Sequence, residues 1–260
     1  MNFMAVEPIA KGQTGRGLSE LEFSRLDQKP GKRFWSRNDL ADSSPLSPTP
    51  PATGWLESVD GVECLRVYVL VERFDNGAHV YVRLTFRADR PHEVGVATFA
   101  HADSTPLEHC IITATMGNYA RLRRLELADR TVEAAELWPA YRGDGFTPHA
   151  RFPLGELKRT PSGAAVAAAV SNEPDPESAA YAPGTREGWR YVGRPARQYW
   201  RSDHPPDGLE VLVNGRTVYW ASQSSIPGGV AFENFEMVAP FRNGEEFWFG
   251  VEPITIGATE

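Results

Sequence analysis

Residues 62–87 alternate apolar and polar side chains with a period of two, and this alternation constrains the fold more than any other feature of the chain. In CLRVYVLVE, Leu65, Val67, Val69 and Val71 take one side while Arg66, Tyr68, Leu70 and Glu72 take the other. After FDNGA, the run HVYVRLTFR puts Val80, Val82, Leu84 and Phe86 on one face and His79, Tyr81, Arg83, Thr85 and Arg87 on the other. Successive side chains of a strand point to opposite faces, so a half-buried antiparallel sheet is expected and a helix is not. Asn76-Gly77 tolerates the positive φ of a tight turn, so the two runs are expected to form a hairpin.

Further strand-like runs follow at short intervals: 93–101, 109–116, 119–127, 132–138, the small-residue run 164–170, and 198–201. LEVLVNGRTVYWAS reads as a second hairpin with Asn214-Gly215 at its turn. VAFENFEMVAPF and EEFWFGVEPI close the chain as strands, and the last, apolar on both sides, is expected inside a sheet. The Arg123-Arg124 pair breaks alternation in its run, so one arginine must face the apolar side, sit in a bulge or find a partner; Glu126, Glu133 and Glu136 are the candidates.

Residues 1–60 read differently. Residues 18–27 have the leucine spacing of a short helix, and 43–54 holds four prolines among serine and threonine, the composition of an extended linker. The expected organisation is an irregular N-terminal arm with a Pro-rich linker over 1–60, packed on a β-sandwich domain over 61–260. Short strands, frequent turns and no long helical pattern point to an all-β, two-sheet antiparallel β-sandwich of the jelly-roll (concanavalin-like) type.

The chain's 260 residues carry 34 acidic against 27 basic side chains, a net charge of −7, and this argues against a general nucleic-acid binder, which needs a basic footprint. No apolar run reaches the length of a membrane span. The first residues show no charged leader followed by an apolar stretch, so the expected location is cytoplasmic, or extracytoplasmic if a leader has been removed. Two cysteines, Cys64 and Cys110, are too few for a disulfide framework and are expected as free, buried thiols. The six histidines lack ligand spacing, so neither metal nor other cofactor is expected.

The densest concentration of chemistry lies between Trp189 and Trp220, where aromatic rings alternate with Arg190, Arg194, Arg197 and Arg201 near His204. Flat apolar faces beside planar cations suit a sugar ring that carries a carboxylate. The expected function is therefore that of an enzyme acting on an acidic, uronate-containing poly- or oligosaccharide by β-elimination or hydrolysis. A non-catalytic carbohydrate-binding module and a structural or protein-interaction sandwich are the alternatives. Elimination needs a base and a cation to hold the substrate carboxylate as charge builds up, and Tyr199, His204 and Arg197 are the candidate catalytic residues. Arg121, Asn118, Arg201, Trp200, Arg190, Tyr81 and Arg83 are the candidate substrate contacts. The partner is an acidic or neutral saccharide, with no nucleic acid and no membrane. Hydrolysis would need two carboxylates facing one groove; Glu233 and Glu236, three apart on a strand, are expected on opposite faces.

Overall fold

The computed structural model describes residues 3–12, 53–70, 73–74, 76–116, 120–171, 196–219 and 223–254. The expected helix over 18–27 and most of the proline-rich stretch lie outside them.

The described residues build fifteen strands in two antiparallel sheets. The five-stranded sheet has the order β1 (Phe3–Ala10), β6 (Leu107–Thr115), β14 (Ala231–Pro240), β13 (Glu210–Arg216), β9 (Ala150–Pro153). The ten-stranded sheet begins β2 (Thr53–Val59), β3 (Val62–Leu70), β4 (Val80–Arg87), β5 (Glu93–Ala100), β15 (Glu246–Pro253). It continues β12 (Ala196–Ser202), β11 (Ala165–Ser171), β7 (Leu122–Glu126), β8 (Thr131–Glu133), with β10 (Lys158–Arg159) paired to β11. Phe3–Ala10 and Thr53–Val59 are thus strands, where the sequence read an irregular arm.

Apolar side chains of the two inner faces form the core. Val80 and Val82 of β4, Val96 of β5 and Phe247 and Phe249 of β15 meet Ile112 of β6, Phe235 and Met237 of β14 and Val211 and Val213 of β13. The alanines of β11 leave room for Trp200, which lies edge-on to Phe249 at 5.2 Å and donates Nε1–H to the Phe235 carbonyl at 2.8 Å. Phe247, Trp248 and Phe249 are all buried, as an interior last strand requires.

β3 and β4 pair as the alternation demands, Leu65 opposite Phe86 and Val69 opposite Val82. The connection is longer than a two-residue turn. Among its described residues only Gly77 takes positive φ, while Asn76 accepts from the Ala78 N–H and donates to the Pro8 carbonyl, tying the loop to β1. The second expected hairpin does not form. Asn214-Gly215 lies within β13, and β13 pairs with β14 instead. A Cβ at Gly215 would collide with the Ala231 carbonyl, so here the glycine serves close backbone approach rather than a turn. Val132–Trp138 is likewise split: β8 ends at Glu133 and a helical turn, α1 (Ala134–Leu137), follows. Its alanine-rich sequence favours helix, and the Glu136 carboxylate accepts the Glu133 N–H at 3.0 Å. The arginine pair resolves both ways. Arg124 meets Glu133 at 3.0 Å, and Arg123 turns inward, where its guanidinium donates to the carbonyls of Val230 and Pro227.

Candidate functional site

On β12 the alternation sends Gln198, Trp200 and Ser202 into the sandwich and Arg197, Tyr199 and Arg201 onto the outward face of the ten-stranded sheet. Tyr81 and Arg83 face the same way on β4, opposite Phe99 and Ala97 of β5. Five of the candidates read from the sequence therefore share one face. Trp200 does not; it is a core residue with both ring and N–H satisfied. Arg121 is buried away from this face, donating Nε–H to the Tyr219 hydroxyl at 3.2 Å. His204 is exposed and lines no part of the cleft described below. Asn118 and Arg190 lie outside the described residues.

Around β12 the polar groups satisfy one another. Tyr199 donates its hydroxyl to Glu93 Oε1 at 2.8 Å, and Arg201 forks onto the same carboxylate at 3.0 and 2.5 Å while also pairing with Asp203. Trp248 is packed beneath the guanidiniums of Arg201 and Arg90, 5.4 and 5.6 Å from its centroid. Arg197 bridges Glu126 at 3.4 Å and Glu252 at 3.0 Å, with its guanidinium over the Tyr199 ring. Tyr199 lies flat across Gly250, where a Cβ would fall inside the ring. Burial, and secondly the Glu93 carboxylate, push the Tyr199 hydroxyl well above the ordinary phenol range. It is held as a hydrogen-bond donor to Glu93. Arg90 is the least committed cation, reaching Glu93 and Asp203 only at 3.8 and 3.6 Å.

Arg90, Glu93, Tyr199, Arg201, Asp203 and Glu252 line a solvent-open cleft of about 380 Å³ between the β4–β5 loop and the β10–β11 turn. Asp89, Glu93, Asp203 and Glu252 line it together with Arg90 and Arg201, while Arg87 and Arg197 hold Asp89 and Glu252 from beside it. Thr160 and Ser162 add hydroxyls, 2.9 Å from each other.

An aromatic ladder crosses the other half of the face. Trp55 stacks on Tyr68 at 4.9 Å, Tyr68 reaches Tyr81 at 6.2 Å, and Tyr81 stacks on Phe99 at 5.0 Å. The spacing follows that of neighbouring strands, so the rings stand upright and spend their faces on each other, as stabilising cross-strand pairs do. Trp55, at the sheet edge, is 49 % exposed. Arg83 caps Phe99 and pairs with Glu246 at 3.2 Å.

The ladder ends in two stacked histidines, His79 and His101, at 4.1 Å, with Asp103 bonded to His79 Nδ1 at 2.8 Å and to Arg73. Burial, then the charge of His79, depress the His101 pKa below its ordinary 6.5. The unfolded chain takes up this proton more readily than the folded one, so stability is lost as pH falls below about 6.5 towards the folded value. Melting curves between pH 7.5 and 5.5 are expected to show a falling Tm, and His101→Gln should flatten the fall. An equal slope in both proteins would place the proton uptake elsewhere.

The five-stranded sheet carries buried polar side chains on its outward face that composition did not single out. Thr115 donates its hydroxyl to Asn234 Oδ1 at 3.1 Å, and Asn214 Oδ1 accepts the Asn234 N–H at 3.2 Å. The Asn214 amide nitrogen meets His149 Nε2 at 3.2 Å, and the same nitrogen lies 3.3 Å from Glu236 Oε1. Glu236 is 0 % exposed, and its Oε2 has no hydrogen-bond partner among the described residues. Its signal in the sequence was Asn234 and Glu236, polar residues two apart on a central strand whose run is otherwise apolar but for Glu233.

Both cysteines are free and buried, and burial pushes the Cys110 thiol up to about 12. Among the described residues no group of three His, Cys, Asp or Glu is placed to hold a metal ion, and no helix is long and apolar enough to cross a membrane. Neither the family models nor the curated proteins contain a match to the chain.

Proposed function

We propose that this is a carbohydrate-active β-sandwich protein that binds saccharide on the outward face of its ten-stranded sheet, in the cleft around Arg90, Glu93, Tyr199, Arg201 and Asp203. The observation that carries the reading is the make-up of that cleft. Planar carboxylates and guanidiniums, which match pairs of neighbouring hydroxyls, line a volume of about 380 Å³, within the range of small-ligand sites. Rigidly networked polar groups of this kind recognise a polyol without reorganising.

The charge balance sharpens the substrate class. Arg87 forks onto Asp89, Arg197 holds Glu252 and Arg201 holds Glu93 and Asp203, so these guanidiniums are spent within the protein and the cleft suits an uncharged sugar. The acidic saccharide expected from the arginine-rich sequence therefore gives way to a neutral one, because Arg83, Arg197 and Arg201 are each already paired with glutamate. Trp55 shares a row across the sheet with Arg66, Thr85, Gly95 and Trp248, and four strand spacings put it about 19 Å from Trp248. Its exposed ring is a second contact that only a longer chain reaches.

Affinity electrophoresis against neutral glucans, mannans and xylans and against polyuronates tests this. Retardation by a neutral polymer is expected, weakened about tenfold by Arg90→Ala, a loss of about 1.4 kcal/mol. Trp55→Ala should weaken binding to polymers but not to short oligosaccharides. Preference for polyuronates, or retention unchanged by Arg90→Ala, would remove the cleft from the saccharide site.

A further inference from the structure

Towards one end of the ten-stranded sheet the inward side chains lose their cover. On β4, Val80 and Val82 are wholly buried, Leu84 is partly buried, and Phe86 is 41 % exposed. On β15 the order repeats: Phe247 and Phe249 are buried, and Val251, the next residue on that face, is 36 % exposed. Val94 of β5, the strand between them, is partly buried. Phe86, Val94, Phe249 and Val251 wall a groove of about 490 Å³, closed by Pro91 of the β4–β5 loop and by Ala196 and Pro253, which pair at the end of β12 and β15. Leu65 and Leu56, in register with Phe86 and themselves exposed, carry the apolar row on to the sheet edge. Single exposed apolar residues are ordinary, but a contiguous row of them beside a cavity marks a binding surface.

The groove adjoins the cleft. Pro91, His92 and Glu93 line both. The end of β15 shows how two faces of one sheet come to share a border. Its residues alternate, so Glu252 faces the cleft while Val251 and Pro253 face the groove. The Val251 N–H donates to the His92 carbonyl at 3.0 Å, which fixes the β4–β5 loop as the rim between the two cavities. Their chemistry differs. In the groove only His92 and Glu93 are polar, and the Glu93 carboxylate is spent on Tyr199 and Arg201. A sugar there would lose its hydrogen bonds to water and regain few, whereas a hydrocarbon chain has none to lose.

We infer that cleft and groove form one site for an amphipathic glycoside, with a neutral sugar in the cleft and its hydrocarbon aglycone laid over Pro91 into the groove. The sugar half rests on the saccharide reading above; the apolar half does not. Phe86 and Val251 bury the chain, and Arg90 holds the polar end. Once the sugar is bound, the aglycone meets the groove at high effective concentration, so each contact strengthens the other.

Isothermal titration of the full chain with methyl, butyl, hexyl and octyl glucosides, mannosides and xylosides, below their micellar concentrations, tests this. In at least one series affinity is expected to rise about twofold to fourfold for each methylene buried. The heat-capacity change of binding should become more negative as the chain lengthens. Phe86→Thr and Val251→Thr keep a β-branched residue in the strand and should flatten the rise. Phe86→Leu keeps an apolar wall and should preserve most of it. Arg90→Ala should weaken methyl and octyl glycosides by the same factor, about tenfold. Methyl and octyl glycosides bound alike, or a rise that survives both threonine substitutions, would overturn the joined site and leave the saccharide reading in place. A rise that ignores Arg90→Ala and is reproduced by 1-alkanols of the same lengths would overturn the joined site and the saccharide reading together, as would a lack of binding in all three series.

Discussion

Replacing Trp200 with alanine is expected to lower the unfolding free energy by about 3–5 kcal/mol, the cost of truncating a large buried aromatic. Among the described residues no fully buried side chain is larger. Its ring meets Phe249 across β15, its N–H is taken by the Phe235 carbonyl, and it lies opposite Ala167 of β11. Removing it opens a cavity walled by alanines too small to collapse into it, and it leaves a buried carbonyl on β14 without its donor. For a chain of this size the melting temperature should fall by about 10 °C. Trp200→Phe keeps most of the volume but not the N–H, and should lose roughly a third as much. Calorimetry of both variants checks the pair of values. A Trp200→Ala protein that melts within 3 °C of wild type would mean that the two sheets do not meet as described.

Arg201→Ala is the second large effect. It strips the Glu93 carboxylate, whose side chain is only 8 % exposed, of its forked partner and leaves Asp203 with Arg90 at 3.6 Å. Tyr199 remains as a neutral donor and Arg90 only at 3.8 Å. Breaking a buried pair from one side costs about 3–5 kcal/mol, because a charge is left in a poorly solvated place. Replacing both partners at once, with Glu93→Gln and Arg201→Met, should recover most of that loss. A double-mutant cycle by urea titration measures the coupling. If Arg201→Ala alone costs under 1 kcal/mol, Arg90 has moved in to replace it, and the cleft is more plastic than a preorganised binding site should be.

These two residues also show what a sequence conveys and what it withholds. Tyr199 and Trp200 were equally attractive as ligand contacts, because alternation fixes that they point oppositely and not which of them points out. Only partner strands decide that: the alanines of β11 make a recess on the inner side and Gly250 a flat floor on the outer. The β3–β4 hairpin, the small-residue strand β11 and the apolar last strand β15 were legible because each depends on local pattern alone. Asn214-Gly215 was misread because the same dipeptide serves a tight turn and a close strand approach, and the Ala231 carbonyl that demands the glycine is distant in sequence. The bulge at Glu233 of β14, where the pairing steps from Asn234 to Phe232, had a readable signature, two core phenylalanines three apart in FENF, but a rule of strict alternation discards that signal. Paired arginines were the costliest to misjudge: one-dimensional charge counting sees cations at 83, 197 and 201 and cannot see the glutamates of β5, β7 and β15 that neutralise them.

The place of β15 has a consequence for how the protein is made. It is the last described strand in the chain, yet it lies inside the ten-stranded sheet, hydrogen-bonded to β5 on one side and β12 on the other. While a ribosome is still adding residues before Glu246, the ladder β2–β5 and the ladder β12–β11–β7–β8 have no strand to join them, and each presents an unpaired edge. Such edges invite the wrong partner, and non-local pairings of this kind form slowly. Until residues 246–253 are made the sheet therefore stands in two pieces, and the wedge that unites them is delivered after every other described strand.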